Sequence, residues 1–241
     1  MQVKTRAIVV RTLRFGDDKL VVDLLTEASG RVAFMVRIAQ SRKGRLRKQL
    51  FQPLTMLDVE YDFRMRLQMQ RLRDARISRP FVSLALDSHK LPLSLFLAEF
   101  LSCATRVEQQ NPLLFRYVSD SIEWVDTASE GFANFHLVFM MRLTRFLGFF
   151  PNLEDYADGD FFDLRNGCFT HVAPLHPDFI QPQEAALMRI LMRLNYESMH
   201  LFRMSHEQRN RCIDWILTFY RLHVPGFPEL KSLDVVRQLF V

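Results

Sequence analysis

Lys19-Leu20-Val21-Val22-Asp23-Leu24-Leu25-Thr26, then Glu27-Ala28-Ser29-Gly30, then Arg31-Val32-Ala33-Phe34-Met35-Val36-Arg37-Ile38 is the stretch that decides the fold. Two apolar, roughly alternating runs flank a polar turn that ends in Gly, which is the pattern of paired strands. Upstream, Val3 to Arg14 is another β-branched run, broken by Phe15-Gly16-Asp17-Asp18. Downstream, Ala39–Gln49 is polar and basic and reads as a loop, while Phe51–Tyr61 and Met65–Ile77 supply two further strands. Five short strands with turns between them, in the first 80 residues, predict a small closed or nearly closed barrel.

After Pro80 the period becomes helical. Leu93, Phe96, Leu97, Phe100, Leu101 and Ala104 recur at helical spacing within Leu91–Glu108. Asn111-Pro112 is a cap followed by a first-turn Pro and opens a helix to about Ser129. Phe132–Phe149 is an aromatic-rich third helix, Gln181-Pro182 opens a fourth through Tyr196, and Ser205 to Gln208 has capping-box spacing before a fifth to about Leu222. A short helix over Leu230–Phe240 closes the chain. Residues 151–181 form an acidic insertion, with Asn166-Gly167 as a hairpin signal. The expected class is α+β: a five-stranded barrel over 1–80, then an all-α domain over 81–241 carrying that insertion.

The 241 residues, 49% hydrophobic and 24% charged, are enough for a sizeable core without a metal or disulfide staple. The longest apolar stretch, near Leu137–Met141, is far short of a membrane span. The alternating N-terminus does not read as a signal peptide. Three widely spaced cysteines, Cys103, Cys168 and Cys212, suit a reducing cytosol, so a cytoplasmic protein is expected. Net charge is +5, but it is unevenly divided: residues 1–80 hold 18 Lys/Arg against 8 Asp/Glu, and the remainder is net acidic. A dense, confined positive excess points to a polyanion-binding barrel.

Enzyme motifs are missing. There is no phosphate loop, no dinucleotide fingerprint and no nucleophile elbow. Cys168, His171 and His176, with Asp163 or Asp178, have zinc-like donor types, yet structural zinc sites usually clip a loop with two close ligand pairs. No metal, cofactor or catalytic residue is therefore expected. The cations are more telling. Arg42, Lys43, Arg45, Arg47 and Lys48 crowd one loop after Arg37. Lys4, Arg6, Arg11 and Arg14 precede it on the first strand; Arg64, Arg66, Arg71, Arg73, Arg76 and Arg79 follow. Alternation puts Arg71 and Arg73 on one strand face and Arg76 on the other. Such a set makes a track for a phosphate backbone. Phe15, Phe34, Phe51, Tyr61 and Phe63 are interleaved; most should be core, with one or two left to stack bases. No amphipathic helix flanked by Lys/Arg accompanies the loop, so nucleic acid is favoured over a membrane surface.

Lys19 to Gly30, the basic loop, Gln52-Pro53-Leu54 and Leu147-Gly148-Phe149 together resemble the RecO family of recombination and repair mediators across the whole chain, in its Bacteroidetes-type branch. The resemblance implies an N-terminal OB-fold barrel and a helical domain with a zinc-ribbon-like insertion. It implies binding of single- and double-stranded DNA, annealing of complementary strands and help in loading recombinase onto coated single strands. It also implies two partners, RecR and the acidic C-terminal tail of the single-stranded-DNA-binding protein. Many relatives carry four zinc cysteines in the insertion; this chain keeps only Cys168, so zinc is not carried over. The usual Lys-Gly step after the third strand appears here as Arg37-Ile38-Ala39.

Binding of the partner tail needs an apolar pocket rimmed by cations, because an Arg fork holds a terminal carboxylate well. Arg142 and Arg145, spaced i, i+3 beside Phe146 and Phe149, meet that requirement best. Two rivals stay open at this level: an OB-type RNA-binding module, and a metal-dependent nuclease using Asp158, Asp160, Asp163 and His171.

Overall fold

The computed structural model describes residues 1–38, 46–154 and 156–240. Contacts group the chain into two compact units, Met1–Thr127 with Leu230–Val236, and Ala128–Glu229 with Arg237–Val241. The first unit therefore holds the barrel together with the two helices that follow it and a short returning segment near the end of the chain. This division follows compactness, whereas the change from strand to helical period falls near residue 80.

In the first unit, β1 (Gln2–Phe15), β2 (Lys19–Thr26), β3 (Gly30–Arg37), β4 (Met56–Asp62) and β5 (Gln70–Arg79) close a barrel in the order β1-β2-β3-β5-β4. All pairings are antiparallel except β3 with β5, which is parallel and limited to Phe34 with Gln70 and Met35 with Arg71. This is the five-stranded OB topology, and the expected α+β class holds. Alternation explains the core: Leu20, Val22 and Leu24 of β2 and Val32, Phe34 and Val36 of β3 point inward. The rings of Phe34 and Tyr61 meet edge-on at 5.0 Å inside the barrel.

Three strand-level expectations are corrected. Phe51 does not begin a strand: Lys48–Phe51 is a 3-10 turn, and Leu54 takes a left-handed φ of 61° after Pro53, so β4 starts only at Met56. Leu54 and Val9 still bond through their backbones, with the Leu54 N–H donating to Val9 O at 2.8 Å. Likewise Met65–Met69 is a loop, and β5 starts at Gln70. Finally, β5 carries a bulge: Tyr61 faces Leu72 but Glu60 faces Asp74, so Arg73 is the extra residue. The bulge resets the alternation, and Arg76 is exposed like Arg71 and Arg73 while Ala75 enters the core.

Helices α1 (Lys90–Ala104) and α2 (Pro112–Thr127) follow the barrel in the first unit. Asn111 caps α2 as expected, its Oδ1 accepting from the Leu114 N–H at 3.0 Å. The carboxylate of Asp126 fixes the segment that leaves the barrel by accepting from the N–H groups of Val82, Ser83 and Leu84 at 2.7–2.8 Å. Burial alone would raise the Asp126 pKa, but these three donors and the charge of Lys90 outweigh it and hold it below its ordinary value. Lys90, only 3% exposed, donates to Ser83 Oγ and to the Asp126 carbonyl.

The second unit holds α3 (Phe135–Leu147), a small sheet of β6 (Phe161–Asp163), β7 (Cys168–Thr170) and β8 (Phe179–Ile180) in the order β7-β6-β8, then α4 (Pro182–Arg193) and α5 (His206–His223). The short α6 (Leu233–Arg237) comes last in the chain, and all of it but Arg237 belongs to the first unit. Ser205 forms the full capping box with Gln208 at the start of α5. Gly148 ends α3 at a φ of 86°, a conformation that favours glycine. The β6–β7 hairpin turns at Asn166-Gly167, as the sequence predicts. Phe169 packs edge-on against Phe162 at 5.0 Å and Tyr156 at 4.8 Å, so aromatic rings fill the insertion.

Candidate nucleic-acid interface

One wall of the barrel carries a groove of about 1010 Å³ across β2, β3 and β5 and under the β4–β5 loop. Register places its residues. Val21, Met35, Arg71 and Asp62 are successive cross-strand neighbours on β2, β3, β5 and β4, and Lys19 faces Arg37 one step along. Among the described residues, Lys19, Arg37, Arg64, Arg71 and Arg73 line the groove against a single carboxylate, Asp62. Met35, Leu46, Leu67, Met69 and Leu72 supply its apolar floor.

These cations differ in how far they are committed. Arg37 holds Asp18 at 2.6 Å and Arg73 holds Asp62 at 2.6 Å, which orients both guanidinium groups along the wall. Lys19, Arg64 and Arg71 make no ion pair among the described residues. Lys19 opposite Arg37 is a like-charge pair across two strands, an arrangement that an anion in the groove relieves.

Gln70 shapes the rim. Only 4% exposed at the start of β5, its Oε1 accepts from the Arg64 N–H at 2.8 Å. Its Nε2 donates to the carbonyls of Arg64 at 3.0 Å and Leu67 at 2.8 Å. One buried amide thereby folds the β4–β5 loop over the groove and presents Arg64, Arg66 and Leu67. At the other end, Phe15 at the β1–β2 turn is 57% exposed. Of the five interleaved aromatics, Phe34, Phe51 and Tyr61 are fully buried and Phe63 is partly buried against the core, which leaves Phe15 as the most exposed ring. Loops β1–β2 and β4–β5, with the β2–β3 face between them, are where OB folds take oligonucleotides.

The other cations singled out in the sequence lie elsewhere or are differently engaged. Lys4 and Arg6 border a separate depression on the outer face of β1 and β4, where Lys4 sits 3.3 Å from Glu60 and Arg6 makes a two-pronged pair with Glu27 at 2.7 and 2.9 Å. The hydrogen-bonded Glu27 raises the Arg6 pKa, and Arg6 lowers that of Glu27. Arg11 lies 3.6 Å from Asp23, and Arg14 the same distance from Asp17. Arg47 precedes the 3-10 turn and Lys48 begins it. Arg42, Lys43 and Arg45 lie outside the described residues. Reading along the chain missed Lys19 and Gln70; the parity of β2 with β3 is the signal that brings Lys19 beside Arg37.

In the second unit, Arg142 is half-buried and Arg145 exposed, and neither makes an ion pair among the described residues. The Arg145 guanidinium lies 4.1 Å from the Phe150 ring centre, while Phe149 packs on α5 against Tyr220 at 5.2 Å and His223 at 5.4 Å. Phe146 is half-buried.

The insertion spends its polar groups internally. His171 bonds Asp160, His176 sits 3.4 Å from Asp163, and Asp163 accepts from the Arg165 and Asn166 N–H groups and the Asn166 amide. Burial pushes the Asp163 pKa up, but these donors outweigh it and the net direction is down. Burial, with the Asp163 charge, raises the Cys168 thiol. Among the described residues no three His, Cys, Asp or Glu side chains gather as a metal site requires. None of the described helices is long and apolar enough to cross a membrane.

Two family models account for most of the chain: Recombination protein O N terminal matches residues 1–81, and Recombination protein O C terminal matches residues 85–234. Curated relatives called DNA repair protein RecO align over their full length and that of this chain. Those of Phocaeicola vulgatus and Bacteroides fragilis are each 48% identical, and that of Christiangramia forsetii is 32% identical. With a barrel of OB topology, a helical remainder and full-length relatives at this identity, the chain belongs to the RecO family.

Proposed function

We propose that the protein is a non-catalytic mediator of DNA repair and recombination whose barrel groove holds a DNA backbone. The observation that carries this reading is the groove itself: five cations around an apolar floor, with Lys19, Arg64 and Arg71 uncommitted to carboxylates among the described residues. A basic channel with apolar and stacking surfaces binds single strands with little sequence preference. Residues 1–80 would then be the DNA-binding domain and 81–241 the helical domain. Names of the relatives support a repair role.

On this reading the protein binds single- and double-stranded DNA, anneals complementary strands and helps load recombinase onto coated single strands. Its protein partners are RecR and the acidic tail of the single-stranded-DNA-binding protein, the latter at Arg142, Arg145, Phe146 and Phe149. A binding role also suits an insertion in which Asp160, Asp163 and Asp178 are engaged by His171, Asn166 and Arg165.

The test is annealing of labelled complementary strands by the parent and by Arg64→Glu/Arg71→Glu. Each lost phosphate contact should reduce the salt slope of single-strand binding by roughly 0.7. Reversal of both charges should flatten the slope by about 1.4 on that basis and slow annealing. An unchanged slope in a folded variant would remove the groove from the DNA site. Tighter binding of a matched RNA would overturn DNA as the ligand.

A further inference from the structure

Beyond the groove, on the far side of Leu67 and Gln70, lies a second cleft of about 360 Å³. It falls within the first unit, between β3, the β4–β5 loop and the connection from α1 to α2. Its volume is at the small end of the roughly 300–1,000 Å³ typical of ligand sites. Phe63 and Val107 give it apolar surface, Gln68 and Gln109 line it, and Arg106 gives it a cation, while the carboxylate of Glu108, also in the lining, accepts from the Asn111 amide at 3.2 Å. Leu67 and Gln70 line both spaces, so the two adjoin across these residues.

The fold opens this cleft and then fixes its shape. Because β5 pairs with β3 only at Phe34 and Met35, the earlier part of β3 faces the α1–α2 connection instead. There the Arg31 N–H donates to Glu108 O at 2.9 Å. Gly30, at a φ of 66°, lies so close that a side-chain carbon would come within 2.3 Å of Gln109 O. The Arg31 guanidinium adds bonds to Asp23 and to Ser102 of α1, each at 3.1 Å. The connection is thus clamped to the barrel wall by backbone and side chain alike. Arg106 is exposed and makes no ion pair among the described residues, and Val107 is 87% exposed.

We infer that a single DNA strand longer than the groove continues past Leu67 and Gln70 into this cleft, with Arg106 on its phosphate and a base against Phe63 and Val107, edged by the Gln68 and Gln109 amides. The chemistry fits one ligand class. A cation for a phosphate, a ring and a methyl surface for a base face, and amides for a base edge are what a nucleotide offers in turn. The helical part of the first unit thereby lengthens the DNA footprint of the barrel. This inference rests on the reading of the groove as a DNA site.

Fluorescence anisotropy with labelled oligothymidines from about 4 to about 24 nucleotides tests it, since an OB fold covers roughly 4–16. Four proteins are compared: parent, Arg106→Ala, Val107→Asp and Arg64→Glu/Arg71→Glu. The expected result is that Arg106→Ala matches the parent on the shortest bound strands and falls about tenfold behind on longer ones, the loss of one charge-assisted contact. Val107→Asp, which leaves Arg106 in place, should show the same length dependence. If Arg106→Ala and Val107→Asp follow the parent at every length while the groove variant is weakened, the cleft is no part of the path and the groove reading stands. If Arg106→Ala weakens all lengths equally, the extension is also overturned. If the groove variant binds every length like the parent, the DNA reading of the groove itself has failed.

Discussion

Replacing Gln70 by Ala removes no charge, yet it should cost DNA affinity. The amide makes three hydrogen bonds to the backbone of the β4–β5 loop, to Arg64 N–H, Arg64 O and Leu67 O. At about 0.5–1.5 kcal/mol net for each, the bonds are worth roughly 1.5–4.5 kcal/mol. The loop is near solvent and recovers part of that by hydration, so a global loss of about 2 kcal/mol is expected. The larger effect falls on the groove. Arg64, Arg66 and Leu67 would have to be ordered by the DNA instead of by Gln70, and that ordering draws on the binding energy. Equilibrium urea unfolding reads the first quantity, and anisotropy with a labelled single strand at several salt concentrations reads the second. Affinity should fall by about tenfold while the salt slope stays close to the parent's, because every cation is still present. Gln70→Glu keeps the acceptor for the Arg64 N–H but loses both donors and adds a negative charge, so it should bind more weakly still. Affinity of Gln70→Ala within twofold of the parent, in a protein destabilised as expected, would show that the loop's shape does not matter to binding.

Three other outcomes can be measured. Burial in the second unit drops the His136 pKa from its ordinary 6.5 to about 3, so this ring stays neutral in the fold while the unfolded chain takes up a proton below 6.5. Stability should therefore be lost as pH falls through that window, by about 2 kcal/mol between pH 7 and pH 5, and His136→Leu should remove that share of the pH dependence in urea titrations; an unaltered dependence would contradict it. Asp126→Ala leaves three N–H groups without their acceptor and takes a negative charge away from buried Lys90, at a cost of about 3–5 kcal/mol. Asp126→Asn should cost clearly less, and equal denaturation midpoints for the two variants would count against the argument. Phe15→Ala should leave stability within about 0.5 kcal/mol and weaken single-strand binding by about 1–3 kcal/mol, whereas unchanged binding would mean that its ring stacks on no base.

Local signals in the chain were readable because they act over a few residues. The Ser205 capping box, Asn111-Pro112, Gln181-Pro182 and Asn166-Gly167 each mark an element boundary by their own chemistry, and all four stand where expected. The excess of cations before residue 80 also pointed to the barrel. What the chain hides is which cations meet carboxylates that fold back from other strands. Arg6 finds Glu27, Lys4 finds Glu60 and Arg37 finds Asp18 only once the strands are in register. The bulge at Arg73 is equally silent, since nothing local distinguishes it from the alternation that it breaks. Gln70 looks like any polar residue between arginines. Its role depends on a loop that doubles back onto it.

The two-residue parallel seam between β3 and β5 also bears on how the barrel forms. β1, β2 and β3 are joined by short turns and can assemble early, whereas Phe34 meets Gln70 only after a long intervening segment has closed, which is the slow kind of contact. Until it closes, β3 and β5 present bare strand edges, the species from which chains aggregate. β5 reaches that moment carrying Arg71, Arg73 and Arg76 on its outer face. Like charges on an open edge repel a second copy of the same edge. Arg71 and Arg73, which line the groove in the finished barrel, are thus placed, with Arg76, to act as gatekeepers of the unfinished one, and neutralising the three should raise aggregation during refolding.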